Sequence, residues 1–217
     1  EPLALKQFMD ITLPQQDREG RLEINSACND LARELVTRIN SHVAIKATNL
    51  VALALLSTDR QSTTKTDLKN QVELLRALAQ SGPFKGCTIV NDSADEIIDE
   101  ATRIIGLTSV EHAFDTIISA DPVQARSMTY NANNISHIFS LPSLICRLVR
   151  SRNQIDLRDI EDYVSNLYPF FKAEMHLPWA EQDLTTIVKD LTDFLSQLGV
   201  IEKDIFIDKN KQSRIIT

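Results

Sequence analysis

The chain has 217 residues, 43% of them hydrophobic, with a formal net charge of −7 and a sequence pI near 5.1. That much apolar material supports a sizeable core, and only five glycines and seven prolines argue against both disorder and a tight-turned β-sandwich. The acid excess would repel a phosphate backbone, so nucleic acid is excluded as a default partner.

Cys28, Cys87 and Cys146 are three in number, widely spaced and outside any C-x-x-C pattern, which signals neither a disulfide framework nor a zinc site and fits a reducing compartment. The longest apolar run, Leu50 to Leu56, is seven residues, far short of the ~18 to 20 needed to cross a bilayer. The chain is expected to be soluble. It opens on Glu1-Pro2 with no methionine and no leader pattern, and so reads as a piece of a longer polypeptide.

Residues 1–20 carry two prolines and mixed charge without a period and read as a connecting segment, anchored by Leu3, Leu5 and Phe8. From Asn25 a helical period begins, with Leu31, Leu35, Val36 and Ile39 as one apolar stripe. A second helix, about Ala47 to Leu56, is apolar nearly all round and should be central. A third starts with Thr66 as its cap and turns Leu68, Val72, Leu75 and Leu78 inward before Gly82-Pro83. Cys87 to Val90 reads as a short strand or extended loop. Ser93 then caps a helix that Gly106 closes.

Ile117 and Ile118 precede Ala120-Asp121-Pro122, a turn that puts proline at the first position of a helix running to about Arg150, with a possible kink at Pro142. Asp156 caps the next helix, whose inward face is Leu157, Ile160, Val164, Leu167, Tyr168 and Phe171. Leu184, Ile187, Val188, Leu191, Phe194, Leu195 and Leu198 do the same in the last, which Gly199 ends. Two β-prone runs around Asp208-Lys209-Asn210-Lys211 then read as a hairpin. Two helices followed by a hairpin look like a winged-helix arrangement, and no internal repeat is visible. The expected fold is mainly α, with a connecting segment over 1–20, a helical domain over 21–150 and a helix–helix–hairpin module over 151–217.

No glycine-rich phosphate loop, G-x-S-x-G elbow or H-E-x-x-H is present, and no cofactor or metal is implied. His112, three residues before Asp115, invites a general-base reading, but the spacing is too common to carry it. The aromatic block "LYPFFKAEMHLPW", Leu167 to Trp179, reads first as core plus an interhelical turn, and second as a lipid or ligand site. Arg147, Arg150 and Arg152 suit a helix C-terminus through the macrodipole alone; meeting anionic lipid is the alternative.

"MTYNANNISHIFSLPSL", Met128 to Leu144, places asparagines and a histidine in an otherwise apolar helix. His137 follows Asn133 by four residues and Asn134 by three, within reach on one helical face. Tyr130, Asn133, Asn134 and His137 are therefore the candidate site, a hydrogen-bonded network of structural or interface character. No catalytic residue is assigned. Spacing alone leaves open whether the network serves architecture or a ligand.

The same stretch resembles the M-T-Y-Y-R-N-N-x-x-H-x-x-x-L-P-S-L block in the C-terminal part of the bacterial sn-glycerol-3-phosphate acyltransferase family. Glu34 to Leu56 and Leu167 to Trp179 are similar to two further blocks of that family in the same order, and "EPLAL" is similar to the Gly-Glu-Pro end of its acyltransferase domain. Where the family shows Tyr-Arg, this chain has Asn131 and Ala132, losing a ring and a cation. The family's H-x-x-x-x-D signature is absent, because the residues five positions after the four histidines are Ala47, Ile117, Pro142 and Glu181.

The resemblance implies a non-catalytic helical region that follows an N-terminal acyltransferase domain. The full-length enzyme would acylate glycerol 3-phosphate from acyl-carrier protein or acyl-CoA, giving lysophosphatidic acid for phospholipid synthesis, as a peripheral protein at inner-membrane lipid on the cytoplasmic face. The competing reading is a winged-helix-like protein-interaction module with no enzymatic role.

Overall fold

The structure, a computed structural model, describes residues 24–84, 86–152, 154–204 and 214–216. Helix α1 spans Ile24–Ser41. Its expected stripe does not face a core: Leu35 and Ile39 are exposed, and Leu31 and Val36 only half-buried. The helix meets the body at its C-terminal end, where the Asn40 amide donates to the Met175 carbonyl at 2.8 Å.

Strand β1 (Ala44–Ile45) leads into α2 (Ala47–Leu56), and Leu50, Val51, Ala52 and Leu55 of α2 are completely buried. An all-round apolar helix has to be central. The chain continues through β2 (Ser62–Thr64) into α3 (Lys65–Ser81). The cap of α3 is Thr64, not Thr66 as expected, since the Thr64 hydroxyl oxygen accepts from the Asp67 backbone N–H at 3.1 Å and so starts the helix two residues earlier. Strand β3 (Thr88–Ile89) pairs in parallel with β1. Helix α4 (Ala94–Ile105) opens on a reciprocal Ser93–Glu96 capping box and ends at Gly106, whose φ of +78° disfavours a side chain.

A hairpin then follows that sequence reading missed, β4 (Thr108–Glu111) with β5 (Thr116–Ser119). It lacks a glycine turn signal, and Asp115 closes it instead: its carbonyl accepts from the His112 N–H, and its carboxylate accepts from the backbone N–H groups of Thr66 and Thr116. Helix α5 (Pro122–Arg152) runs uninterrupted through Pro142, so no break marks the suspected kink. Strand β6 (Gln154–Asp156), α6 (Leu157–Met175), α7 (Leu184–Gln197), β7 (Glu202–Asp204) and β8 (Arg214–Ile216) complete the described elements. The expected Asp208–Lys211 turn lies outside the described residues, but β7 and β8 pair antiparallel around it. Mainly α architecture with a C-terminal hairpin is therefore what the chain adopts.

The connectivity reveals an internal repeat. In α2–β2–α3–α4–β4–β5 the three-stranded sheet has the order β2-β5-β4, and in α5–β6–α6–α7–β7–β8 it has the order β6-β8-β7. Each is a helix, a strand, two helices and a returning hairpin that inserts its last strand in the middle, the winged-helix connectivity. The winged-helix-like end is thus matched by another unit of the same connectivity earlier in the chain, and the C-terminal unit takes in the helix Pro122–Arg152 as well. One apolar core runs through both units, with α5 packed on α2 on one side and on α6 and α7 on the other.

Leu167 departs from expectation in α6. It is 38% exposed, while Ile160, Val164 and Tyr168 carry the buried face.

Candidate functional site

The asparagine–histidine stretch lies in the N-terminal half of α5, where that helix passes the end of α1 and the start of α2. His137 is 4% exposed, and its Nε2–H donates to the Asn40 carbonyl at 2.9 Å, a partner 97 residues away. Its ring meets the Phe84 ring edge-on at 5.3 Å, and Phe84 in turn meets Trp179 at 4.6 Å. Burial holds the His137 imidazole below its usual range, offset in part by the Asn40 carbonyl. It is thus a neutral donor that pins α1 to α5.

Asn133 and Asn134 take a different role from the one expected. Both are exposed, and His137 bonds to neither, because its ring turns inward to Phe84 and Asn40 while the two amides sit on the outward side of the helix. Tyr130, 73% exposed, stands beside them. These side chains nevertheless share one place. With Asn131 they line a cleft of about 580 Å³, closed by Ile39 and Asn40 of α1, by Lys46 and Asn49 at the start of α2, and by Glu174 and Met175 at the end of α6.

The buried amide at this site is one that sequence reasoning did not single out. Asn49, 5% exposed, accepts from the Lys46 N–H and donates to the Asn131 carbonyl, each at 2.9 Å. It ties the first turn of α2 to α5. The signal was an asparagine in the most apolar helix of the chain. Asn49→Asp keeps the shape but turns an oxygen onto the Asn131 carbonyl, and chemical denaturation is expected to show a loss of ~1 to 3 kcal/mol. A loss under about 0.3 kcal/mol would mean that this bond does not hold the helices together.

The aromatic block divides: Tyr168 and Leu177 are core, Phe170 is 70% exposed, and Glu174 and Met175 line the cleft. Tyr168 is completely buried, its hydroxyl and the Lys172 ammonium both donate to the Trp179 carbonyl at 2.8 Å, and burial pushes the phenol up to about 12. His112 is exposed and lies 5.8 Å from the Phe114 ring, while both Asp115 carboxylate oxygens are taken by backbone N–H groups, so that carboxylate does not orient an imidazole. Of the arginine cluster, Arg152 bonds to the Tyr163 hydroxyl and lies 5.0 Å over its ring. Ala132, where the resembling block carries arginine, is buried. A guanidinium could not occupy that spot without displacing core.

Fold and site define a helical protein region of two winged-helix-type units with an amide-rich cleft where the three resembling stretches meet. Residues 1–214 match the family described as the glycerol-3-phosphate acyltransferase C-terminal region, and the chain belongs to that family. It is 30% identical over 223 aligned positions to a glycerol-3-phosphate acyltransferase of Pseudomonas paraeruginosa (strain DSM 24068 / PA7) and to one of Pseudomonas aeruginosa (strain UCBPP-PA14). Each alignment covers 99% of this chain and 27% of the relative, so the chain spans roughly a quarter of those proteins.

Proposed function

We propose that this chain is the non-catalytic C-terminal region of an enzyme that transfers a fatty acyl group from acyl-carrier protein or acyl-CoA to the 1-hydroxyl of glycerol 3-phosphate. The family match over residues 1–214, in a chain whose four histidines all lack the aspartate five positions on, carries this reading. In the parent protein an upstream histidine would deprotonate the hydroxyl, an upstream aspartate would orient that histidine, and this region would hold the upstream domain in place. Tyr130, Asn133, Asn134 and His137 then serve anchoring and interface roles.

The parent is proposed to work peripherally on the cytoplasmic face of the inner membrane. Among the described residues no helix is long and apolar enough to cross a bilayer. Nucleic acid is not proposed as a partner of either winged-helix unit. The helix before the second hairpin and its lead-in carry Glu181, Asp183, Asp190 and Asp193 against Lys189, and α4 carries Asp95, Glu96, Asp99 and Glu100 against Arg103. Such faces repel phosphates.

The test is acyl transfer to radiolabelled glycerol 3-phosphate by the purified chain and by its full-length parent. The parent is expected to make lysophosphatidic acid and the chain none. Turnover by the chain alone, abolished by His112→Ala or His137→Ala, would overturn the assignment. Absence of turnover in the parent, with saturable duplex-DNA or protein binding by the chain, would favour the interaction-module reading.

A further inference from the structure

We infer that the amide-lined cleft is a socket for an uncharged, extended segment of the polypeptide that lies upstream of this region in the parent protein. The inference rests on the reading of the chain as a C-terminal region, and it goes further by naming the site, the occupant and its chemistry.

Charge comes first. Among the described residues of the cleft wall, Lys46 and Glu174 are the only ones with a formal charge, and the two cancel. Such a lining suits a ligand without net charge and gives a phosphate little to bind. Hydrogen-bonding capacity comes second. The Asn133 and Asn134 amides are exposed, and each carboxamide both donates and accepts, the same two functions a peptide backbone presents at every residue. Rim chemistry comes third. Ile39, 66% exposed, and Tyr130, 73% exposed, line the cleft together with Met175, so apolar side chains of an incoming segment find partners next to the amides. Exposed tyrosine and asparagine beside aliphatic groups are the composition of protein-recognition surfaces.

Position selects the occupant. Relatives extend well beyond the 27% that this chain matches, and the matched family is a C-terminal region. Residues 1–23 precede α1, whose last turn is a wall of the cleft. A segment of the same polypeptide reaches the cleft without a second-order encounter, so a socket of modest affinity is filled in cis.

The test uses the full-length parent with a photo-cross-linking benzoylphenylalanine at position 130, read by mass spectrometry. The expected product is an intramolecular cross-link to a peptide N-terminal of Glu1. Its yield should fall about tenfold in the Asn133→Glu/Asn134→Glu double variant and stay unchanged in Ala113→Glu/Phe114→Glu, the same two charges placed on the exposed tip of the first hairpin. Cross-links between two copies, cross-links to lipid, quenching by added glycerol 3-phosphate, or no cross-link above solvent background would each overturn the socket. Acyl transfer by the same preparation separates the two failures. Activity without an upstream cross-link sinks the socket and leaves the enzymatic reading standing, whereas an upstream cross-link in an inactive protein does the reverse.

Discussion

Leu191→Ala is expected to cost ~2 to 5 kcal/mol of unfolding free energy, and Leu167→Ala less than about 1 kcal/mol. Both leucines sit on periodic apolar faces, and periodicity alone ranks them together. In the structure Leu191 is 3% exposed, on the face of α7 that also buries Leu184, Ile187, Val188 and Leu195. Truncation there removes buried methyl groups and leaves a cavity that the packed helices α5 and α6 cannot close. Leu167 stands at the margin of the Ile160, Val164 and Tyr168 face of α6, where solvent fills the space of a shortened side chain. Urea denaturation with unchanged m-values checks both. A cost at Leu167 equal to that at Leu191 would show that another surface covers that margin in solution.

Acidification from pH 6.5 to 5.5 is expected to destabilise the chain through His137. The folded imidazole lies below its ordinary value of 6.5 because burial disfavours the imidazolium, so the unfolded chain takes up a proton that the folded chain refuses. Its contribution is complete above pH 6.5 and is lost as pH falls toward the folded value, with a limiting slope of ~1.4 kcal/mol per pH unit. The carboxylates held low by their partners, Asp95 by Lys69, Glu96 by Ser93 and Asp115 by Thr66, lose their stabilisation as pH falls below their ordinary values of 3.8 to 4.5, outside this window. His137→Gln retains a side-chain donor for the Asn40 carbonyl and cannot titrate. It should flatten the stability profile between pH 6.5 and 5.5. An identical slope in the variant would remove His137 as its cause.

Much of the fold was legible because helices declare themselves locally. The all-round apolar Ala47–Leu56 segment, the Ser93 cap, Gly106 and the Asp121-Pro122 start each act within a few residues, and each stands where expected. The first hairpin was not legible. Its turn is closed by a carboxylate that also reaches the backbone of Thr66, 49 positions back. The repeat was equally hidden, since its two copies share an order of strands and helices more than an order of residue types.

At the candidate site the division follows the same line. Three stretches with a shared resemblance could be quoted from the sequence, and that Asn133, Asn134 and His137 lie on neighbouring helical positions follows from 3.6 residues per turn. Which of them faces inward depended on what arrived from elsewhere. Phe84 and the Asn40 carbonyl drew the histidine in and left the asparagines outside, while Asn49, unremarked in its apolar helix, became the buried amide.

The sequence by itself determined the helical class, most helix boundaries, the acidic surface and the family, because these depend on consecutive residues or on composition. Only the tertiary structure decided the duplication, the outward stripe of α1, the exposure of Leu167 and the cleft. Each of those is a matter of which surfaces meet across tens of residues, where burial and hydrogen-bond satisfaction override local preference.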